Sequence, residues 1–271
     1  MKNVYGTRVF VSGATSGIGQ ACARAFAKEG CQVTGISRHA EAGTESFPGG
    51  GSLTLAALDV TDEAAVNAFF AEREPFDIAV LAAGMGVSGP AEELPMELAR
   101  RQMEVNYFGT LTCARPLLTG MRKQGKGLLM VVGSIAGRVS IPMQSHYSSS
   151  KYALEAFTDA VRMEMKTFGV RAVILEPGDT KTGFTDARQH AVLAPDSAYA
   201  AVCEPSVARM EKDERNGKSP ETVAAAALRM AGRKNPPARV PIGADYAALM
   251  VALWLLPDKT KEFILRKMYL S

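Results

Sequence analysis

The chain is poor in cysteine, has no excess of one charge and carries no long apolar run, and each shortage removes a class of protein. Its four cysteines, Cys22, Cys31, Cys113 and Cys203, show no CxxC spacing and no histidine nearby in sequence. Neither a disulfide framework nor a metal site is indicated, and reduced thiols in a cytoplasmic protein are the simpler account. Lys and Arg number 31 against 28 Asp and Glu, a net charge of +3, and the basic residues are scattered. Nucleic acid is therefore not an expected partner. The longest uncharged apolar run, residues 246–257, is too short to span a bilayer. The N-terminus enters a strand-like segment without signal-peptide architecture. Internal repeats, low-complexity tracts and a linker long enough to divide the chain are also missing. What is left, at 271 residues and 47% hydrophobic, is an ordinary globular composition with ample material for a core.

Residues 7–11 read as a short buried strand, followed at once by SGATSGIGQ and a helical pattern over 18–29. The glycine spacing Gly13, Gly17, Gly19 between strand and helix lets the backbone turn sharply and brings its amides and the helix N-terminus against a pyrophosphate. Gly13, Thr15, Ser16, Gly17, Ile18 and Gly19 are the candidate cofactor residues there. The second strand, 32–37, ends in Ser37 and Arg38, where a cofactor without a 2′-phosphate usually meets Asp or Glu. A hydroxyl and a guanidinium suit phosphate, so NADP(H) is expected over NAD(H). Residues 39–51 read as a Gly-rich loop. A third strand, 52–60, delivers Asp59 and Val60 to the adenine, with Thr61 or Asp62 capping the next helix. Residues 77–83 form a fourth strand running through Ala83 into Gly84. The order βαβαβαβ implies an α/β fold, a doubly wound Rossmann domain of about seven parallel strands with right-handed crossovers.

Further on, a helix over 98–123 carries Asn106, and an apolar strand, 128–132, delivers Ser134 at its end. Tyr147 and Lys151 stand four apart at the start of a helix over 147–168, so their side chains rise from one face. A fixed ammonium beside a phenol favours the phenolate and brings its proton within reach of chemistry near neutrality. Packing of Tyr147 and solvation of Lys151 is the competing reading. A sixth strand, 170–175, ends in EPGDTKTGF, where Pro177 and Gly178 force a turn and Thr180 and Thr182 offer hydroxyls to a cofactor amide.

Taken together, SGATSGIG, LDVTD, Asn106 in VNYFGT, Ser134 in GSIAG, YSSSK and PGDTKTGF resemble the short-chain dehydrogenase/reductase family over about residues 5–243, with a C-terminal extension like that of hydroxysteroid-type members. The resemblance implies that Tyr147 is the general acid/base, that Ser134 orients the substrate oxygen, and that Lys151 lowers the tyrosine pKa and binds the nicotinamide ribose. It further implies that Asn106 holds a water for proton relay, and that a homodimer or homotetramer forms through the two long helices. Two departures stand out. Leu81-Ala82-Ala83-Gly84 replaces the usual Asn-Asn-Ala-Gly, and Ser16 stands where NADP-dependent members often carry a basic residue.

Met85, Ile141, Met143 and Phe184 are apolar candidates for a lipophilic substrate wall, with His146 at its rim. Residues 184–218 read as a mobile lid within a catalytic domain spanning 1–243. The extension, 244–271, joins an apolar segment to a cationic one, suiting a lid, a dimer contact or a peripheral membrane contact. A steroid-like ketone is the expected substrate, an oxoacyl group or acyl-dihydroxyacetone phosphate the alternative. A nucleotide-sensing or scaffold protein without turnover is the reading of another class.

Overall fold

Each apolar run expected to be a strand is one in the computed structural model, which describes residues 3–270. In chain order the structure has β1 (Arg8–Ser12), α1 (Gly17–Lys28), β2 (Gln32–Ser37), β3 (Gly43–Ser46), β4 (Ser52–Ala57), α2 (Glu63–Ala71), β5 (Ile78–Leu81), β6 (Val87–Ser88) and α3 (Met96–Met103). A π-helical turn, Glu104–Phe108, joins α3 to α4 (Gly109–Gln124), followed by β7 (Gly127–Val132) and α5 (Ser145–Met165). After these come β8 (Val170–Glu176), β9 (Gln189–His190), α6 (Ala200–Arg215), α7 (Pro220–Ala231), β10 (Arg239–Pro241), α8 (Ala244–Leu255) and α9 (Asp258–Tyr269).

The main sheet has eight strands in the order β10-β8-β7-β5-β1-β2-β4-β3, all parallel except the edge strand β3, which pairs antiparallel with β4. Sequence reasoning had β3 as loop. All four of its residues are exposed, so it carries none of the apolar alternation that marks a half-buried strand. The interior strands are apolar on both faces because both faces are covered. Val9, Val11, Ile78, Val80, Leu128 and Met130 pack toward α1 and α7, while Phe10, Ala79, Leu81, Leu129 and Val131 pack toward α2, α4 and α5. Phe10 lies fully buried against Phe69, Phe70 and Phe76. A buried phenylalanine of this kind stabilises the fold by about 1.5–3 kcal/mol.

The strand order reverses between β1 and β5, and ligands of open parallel sheets sit in the crevice at such a switch point. A small second sheet pairs β6 with β9, tying the chain after β5 to the start of the 184–218 segment. Beyond it α6 is a full 16-residue helix. The C-terminal α8 packs on Ile135 and Val139, and the end of α9 packs on α6 and the 141–143 segment. Among the described residues no helix is long and apolar enough to cross a membrane.

Candidate active site

At the switch point the glycine turn is built by contact as much as by flexibility. Gly13 has φ +70° and any Cβ there would lie 3.0 Å from the backbone of Ala83; a Cβ on Gly19 would overlap the Gly13 carbonyl. Ser16 precedes α1 in extended conformation and makes no side-chain cap, so the first-turn amides remain open to an anion. Thr15 donates its amide to Ser37 Oγ at 3.4 Å, which joins the turn to the end of β2. Arg38 follows, exposed and free of any ion pair among the described residues. Ile18 packs on the core beneath the turn. Uncapped amides, a hydroxyl and an unpaired guanidinium fit a pyrophosphate with a further phosphate.

Asp59 lies beyond the end of its strand, since β4 stops at Ala57 rather than at Val60. Its Oδ1 accepts from the amide and hydroxyl of Thr61 at 2.9 and 2.8 Å, while Asp62 caps α2 through the Ala65 amide. Val60 is buried against Gly109, whose missing side chain makes room for it. At the end of β5 the structure supplies a brace where the usual asparagines are absent. Ser12 Oγ, itself buried, accepts from the amides of Ala82 and Ala83 at 3.1 and 3.2 Å. Gly84 then passes close to Asn106 Oδ1.

Asn106 sits in the π-helical turn, a distortion that tends to mark functional sites. Its Oδ1 accepts from Met85 N at 2.8 Å, and its Nδ2 donates to Met85 O and to Ser150 Oγ, both at 3.1 Å. Thr110 Oγ1 donates to its backbone carbonyl at 2.8 Å. Ser134, buried at the end of β7, accepts from Ala136 N at 3.1 Å, and its hydroxyl acts on the Tyr147 phenol, favouring the anion. Lys151 is buried one helical turn on, with Nζ donating to Val132 O at 3.0 Å and lying 5.7 Å from the Tyr147 ring centre. Ser134, Tyr147 and Lys151 thus come together at the carboxyl ends of the central strands.

Their electrostatics differ from expectation. Burial pushes the Tyr147 phenol up to about 12, outweighing the lowering by Ser134 and by Arg188, with Glu214 raising it further. Burial also brings Lys151 down to about 8 against the pull of Glu155. The net direction at the phenol is upward, not downward, because desolvation penalises its anion more than neighbouring donors and charges favour it.

The turn after β8 closes over the glycine loop: Thr182 lies 3.2 Å from where a Gly17 side chain would start. Pro177 O accepts from Ile135 N at 3.0 Å, Thr180 Oγ1 donates to Gly178 O at 2.9 Å, and Thr182 Oγ1 accepts from Phe184 N at 3.2 Å. The Phe184 ring stands 5.7 Å from that of Tyr147. Ile141 and Met143 join an apolar cluster with Tyr199, Cys203, Met210 and Tyr269. Met143 holds φ +59°, a left-handed conformation that costs a non-glycine residue energy, and its carbonyl accepts from Gly89 N at 2.8 Å. The Met85 side chain instead joins Val87, Leu94 and Ala99 in a separate cluster. His146 is half-buried, with Nε2 enclosed and without a partner among the described residues.

A family model described as short chain dehydrogenase matches residues 7–192. The chain belongs to the short-chain dehydrogenase family. Within that family it is 33% identical over 268 residues to a 3-ketodihydrosphingosine reductase of Bacteroides thetaiotaomicron, covering 96% of this chain and 97% of the relative. It is 31% identical to an NADPH-dependent 3-dehydrocapnine reductase of Ornithobacterium rhinotracheale, with 95% of each chain covered. A solved short-chain dehydrogenase from Streptomyces avermitilis superposes with a TM-score of 0.79 at 26% identity, covering 94% of each chain. Another, from Burkholderia cenocepacia in complex with NADP, covers 100% of each chain with a TM-score of 0.75 at 23% identity and shares the fold. As a short-chain dehydrogenase the chain is an NAD(P)-dependent oxidoreductase.

Four residues of the site carry no sequence signal. Ser12 is hidden in the glycine motif. Arg188 and Glu214 meet across 26 positions, with Arg188 side-chain exposure of only 1%. Tyr246 of α8 presses its ring on Gly178, accepts from Asp179 N at 2.9 Å and donates to Asp179 Oδ2 at 2.7 Å.

Proposed function

We propose that the chain is an NADP(H)-dependent reductase of a long-chain, lipophilic ketone, with Tyr147 as general acid. One observation carries this reading: Tyr147, a phenol that burial holds protonated and on which the Ser134 hydroxyl acts, stands with its ring 5.7 Å from Lys151 Nζ and 5.7 Å from the apolar ring of Phe184. A protonated phenol is the form that gives a proton to a carbonyl oxygen. Ser134 orients that oxygen, Tyr147 supplies the proton, and Lys151, mostly neutralised by burial only above about pH 8, remains a cation able to hold ribose hydroxyls near neutrality. The nicotinamide cofactor, when bound, would supply the hydride. Asn106 positions the Met85 backbone and Ser150 beneath the site. The glycine turn, Ser37 and Arg38 would hold the phosphates of a bound dinucleotide, with Asp59 and Val60 on its adenine side and Pro177 to Thr182 on its nicotinamide side.

Relatedness over nearly the full length to a 3-ketodihydrosphingosine reductase and a 3-dehydrocapnine reductase supports a ketone as the substrate, and the apolar Ile141, Met143 and Phe184 support a lipophilic one. The steroid-like ketone expected from the C-terminal extension has no counterpart in those two names. The unpaired Arg38 and the NADPH-dependent relative support the cofactor. Residues 184–218 and the end of α9 form the lid over the Ile141–Met143 wall. Exposed Phe108, Tyr152 and Met163 offer a second copy a contact on the α4 and α5 side, and exposed Trp254 and Leu255 offer α8 to a membrane surface. Four free, buried cysteines suit a reducing cytoplasm.

The test is Tyr147→Phe with a long-chain ketone and NADPH. Turnover should fall by about 10²–10⁴ with NADPH affinity kept; an unaltered rate removes Tyr147 as the acid. Arg38→Asp should weaken NADPH more than NADH, and a native protein that prefers NADH overturns the cofactor assignment.

A further inference from the structure

Beside Tyr147 lies a charged group that none of the steps above uses. Arg188, just before β9, is enclosed with 1% of its side chain exposed, and Nη2 donates to Glu214 of α6. Both carboxylate oxygens of Glu214 are engaged, the second by Thr185 Oγ1 at 2.6 Å. The guanidinium still has two enclosed groups, Nε and Nη1, with no partner among the described residues. A buried donor left unmade costs about 1–3 kcal/mol, more for a charged group, so a purely structural ion pair would be expected to fill them.

Their surroundings are those of the substrate side of the site. Nε lies 3.6 Å from where a Gly86 side chain would begin, and the guanidinium carbon is 5.8 Å from the Phe184 ring centre, the ring that stands 5.7 Å from Tyr147. Laid end to end, these two separations put Arg188 within about 11.5 Å of the Tyr147 ring, and its charge acts on the Tyr147 phenol. The apolar cluster of Ile141, Met143, Met210 and Tyr269 packs on the same α6 that supplies Glu214.

We propose that Arg188 binds the head group of the substrate: its two unpartnered donors take an oxyanion, carboxylate, sulfonate or phosphate, carried a few bonds from the ketone. The proposal rests on the keto-lipid reading and narrows it. A guanidinium has donors only, in a fixed planar fork that matches groups with several acceptor oxygens, and it repels an ammonium. Glu214 and Thr185 hold the fork in place. The alkyl chain of the same substrate runs along Met143 and α6.

The experiment compares two long-chain ketones of equal length, one bearing a carboxylate a few carbons from the carbonyl and one with that carboxylate capped as the neutral amide. Native protein, R188Q and R188K are assayed with NADPH, and binding of the acid to the NADP⁺-loaded protein is measured by calorimetry. Native kcat/KM should favour the acid by at least about tenfold, a charge-assisted contact's worth. R188Q should bring the ratio near one, and R188K should keep part of it. A general loss of structure lowers both ketones together and leaves the ratio unchanged. A native ratio of one or below, or the same ratio in R188Q, overturns the head-group assignment. If neither ketone turns over, the reductase reading falls, while acid binding lost in R188Q and partly kept in R188K still upholds the Arg188 site.

Discussion

Replacing Tyr246 with phenylalanine removes one oxygen atom and leaves the ring against Gly178. That oxygen accepts from Asp179 N and donates to Asp179 Oδ2, at 2.9 and 2.7 Å, and joins α8 to the turn that follows β8. Burial and the Asp179 carboxylate both hold the phenol above its ordinary pKa, so it remains a donor at any working pH. A hydrogen bond to a charged group contributes about 1.5–3 kcal/mol and one between neutral groups about 0.5–1.5. Asp179 is half-buried, so water recovers part of this, and a net loss of about 1.5 kcal/mol is the working figure. The neighbouring residues Gly178 to Thr182 form the proposed nicotinamide turn. If the turn has to be ordered to bind, 1.5 kcal/mol becomes about a tenfold rise in the NADPH dissociation constant. Fluorescence titration of NADPH measures it, with thermal unfolding as a second readout. A dissociation constant within about twofold of native, with Tm unmoved, would refute the view that the C-terminal helix supports the cofactor turn.

Two further outcomes follow from buried polar groups. Ser12→Ala keeps the Cβ but leaves the amides of Ala82 and Ala83 without their shared acceptor, and should cost about 1–2 kcal/mol, read as a lowered urea midpoint. An unchanged midpoint would mean that water replaces the hydroxyl. Glu155, enclosed and facing Glu176 and Arg239, has its pKa raised from 4.5 to about 7, first by burial and then by the Glu176 charge. The folded state therefore binds this proton more tightly than the unfolded chain does, and its contribution to stability is lost as pH rises from about 4.5 to 7. Glu155→Gln should flatten the stability profile in that window; equal slopes in the two proteins would show that Glu155 does not titrate there.

The central parallel strands were legible because both faces of each are buried, which makes RVFVS or GLLMVV a continuous apolar run. The glycine turn and the YSSSK pair were legible because their geometry is local: a turn between adjacent elements, and two side chains four residues apart on one helix face. The exposed β3 left no such pattern, and the two-residue pairing of β6 with β9 is too short to leave one. The end of the third strand was misplaced for a related reason, since apolar Leu58 and Val60 pack beneath the sheet edge after pairing has stopped at Ala57.

By itself, then, the sequence determined the α/β alternation, the glycine turn and the placing of Ser134, Tyr147 and Lys151 at the ends of strands and the start of a helix. Spacing of two to four residues is enough to set those relations. Only the tertiary structure decided that Ser12 accepts from the amides of Ala82 and Ala83, that Tyr246 braces Asp179 across 67 positions, that Arg188 meets Glu214 beside Phe184, and that the Tyr147 phenol sits above rather than below its ordinary pKa. Each depends on burial or on contact between distant segments, and the free energy of burying a charge or a polar group is set by everything packed around it.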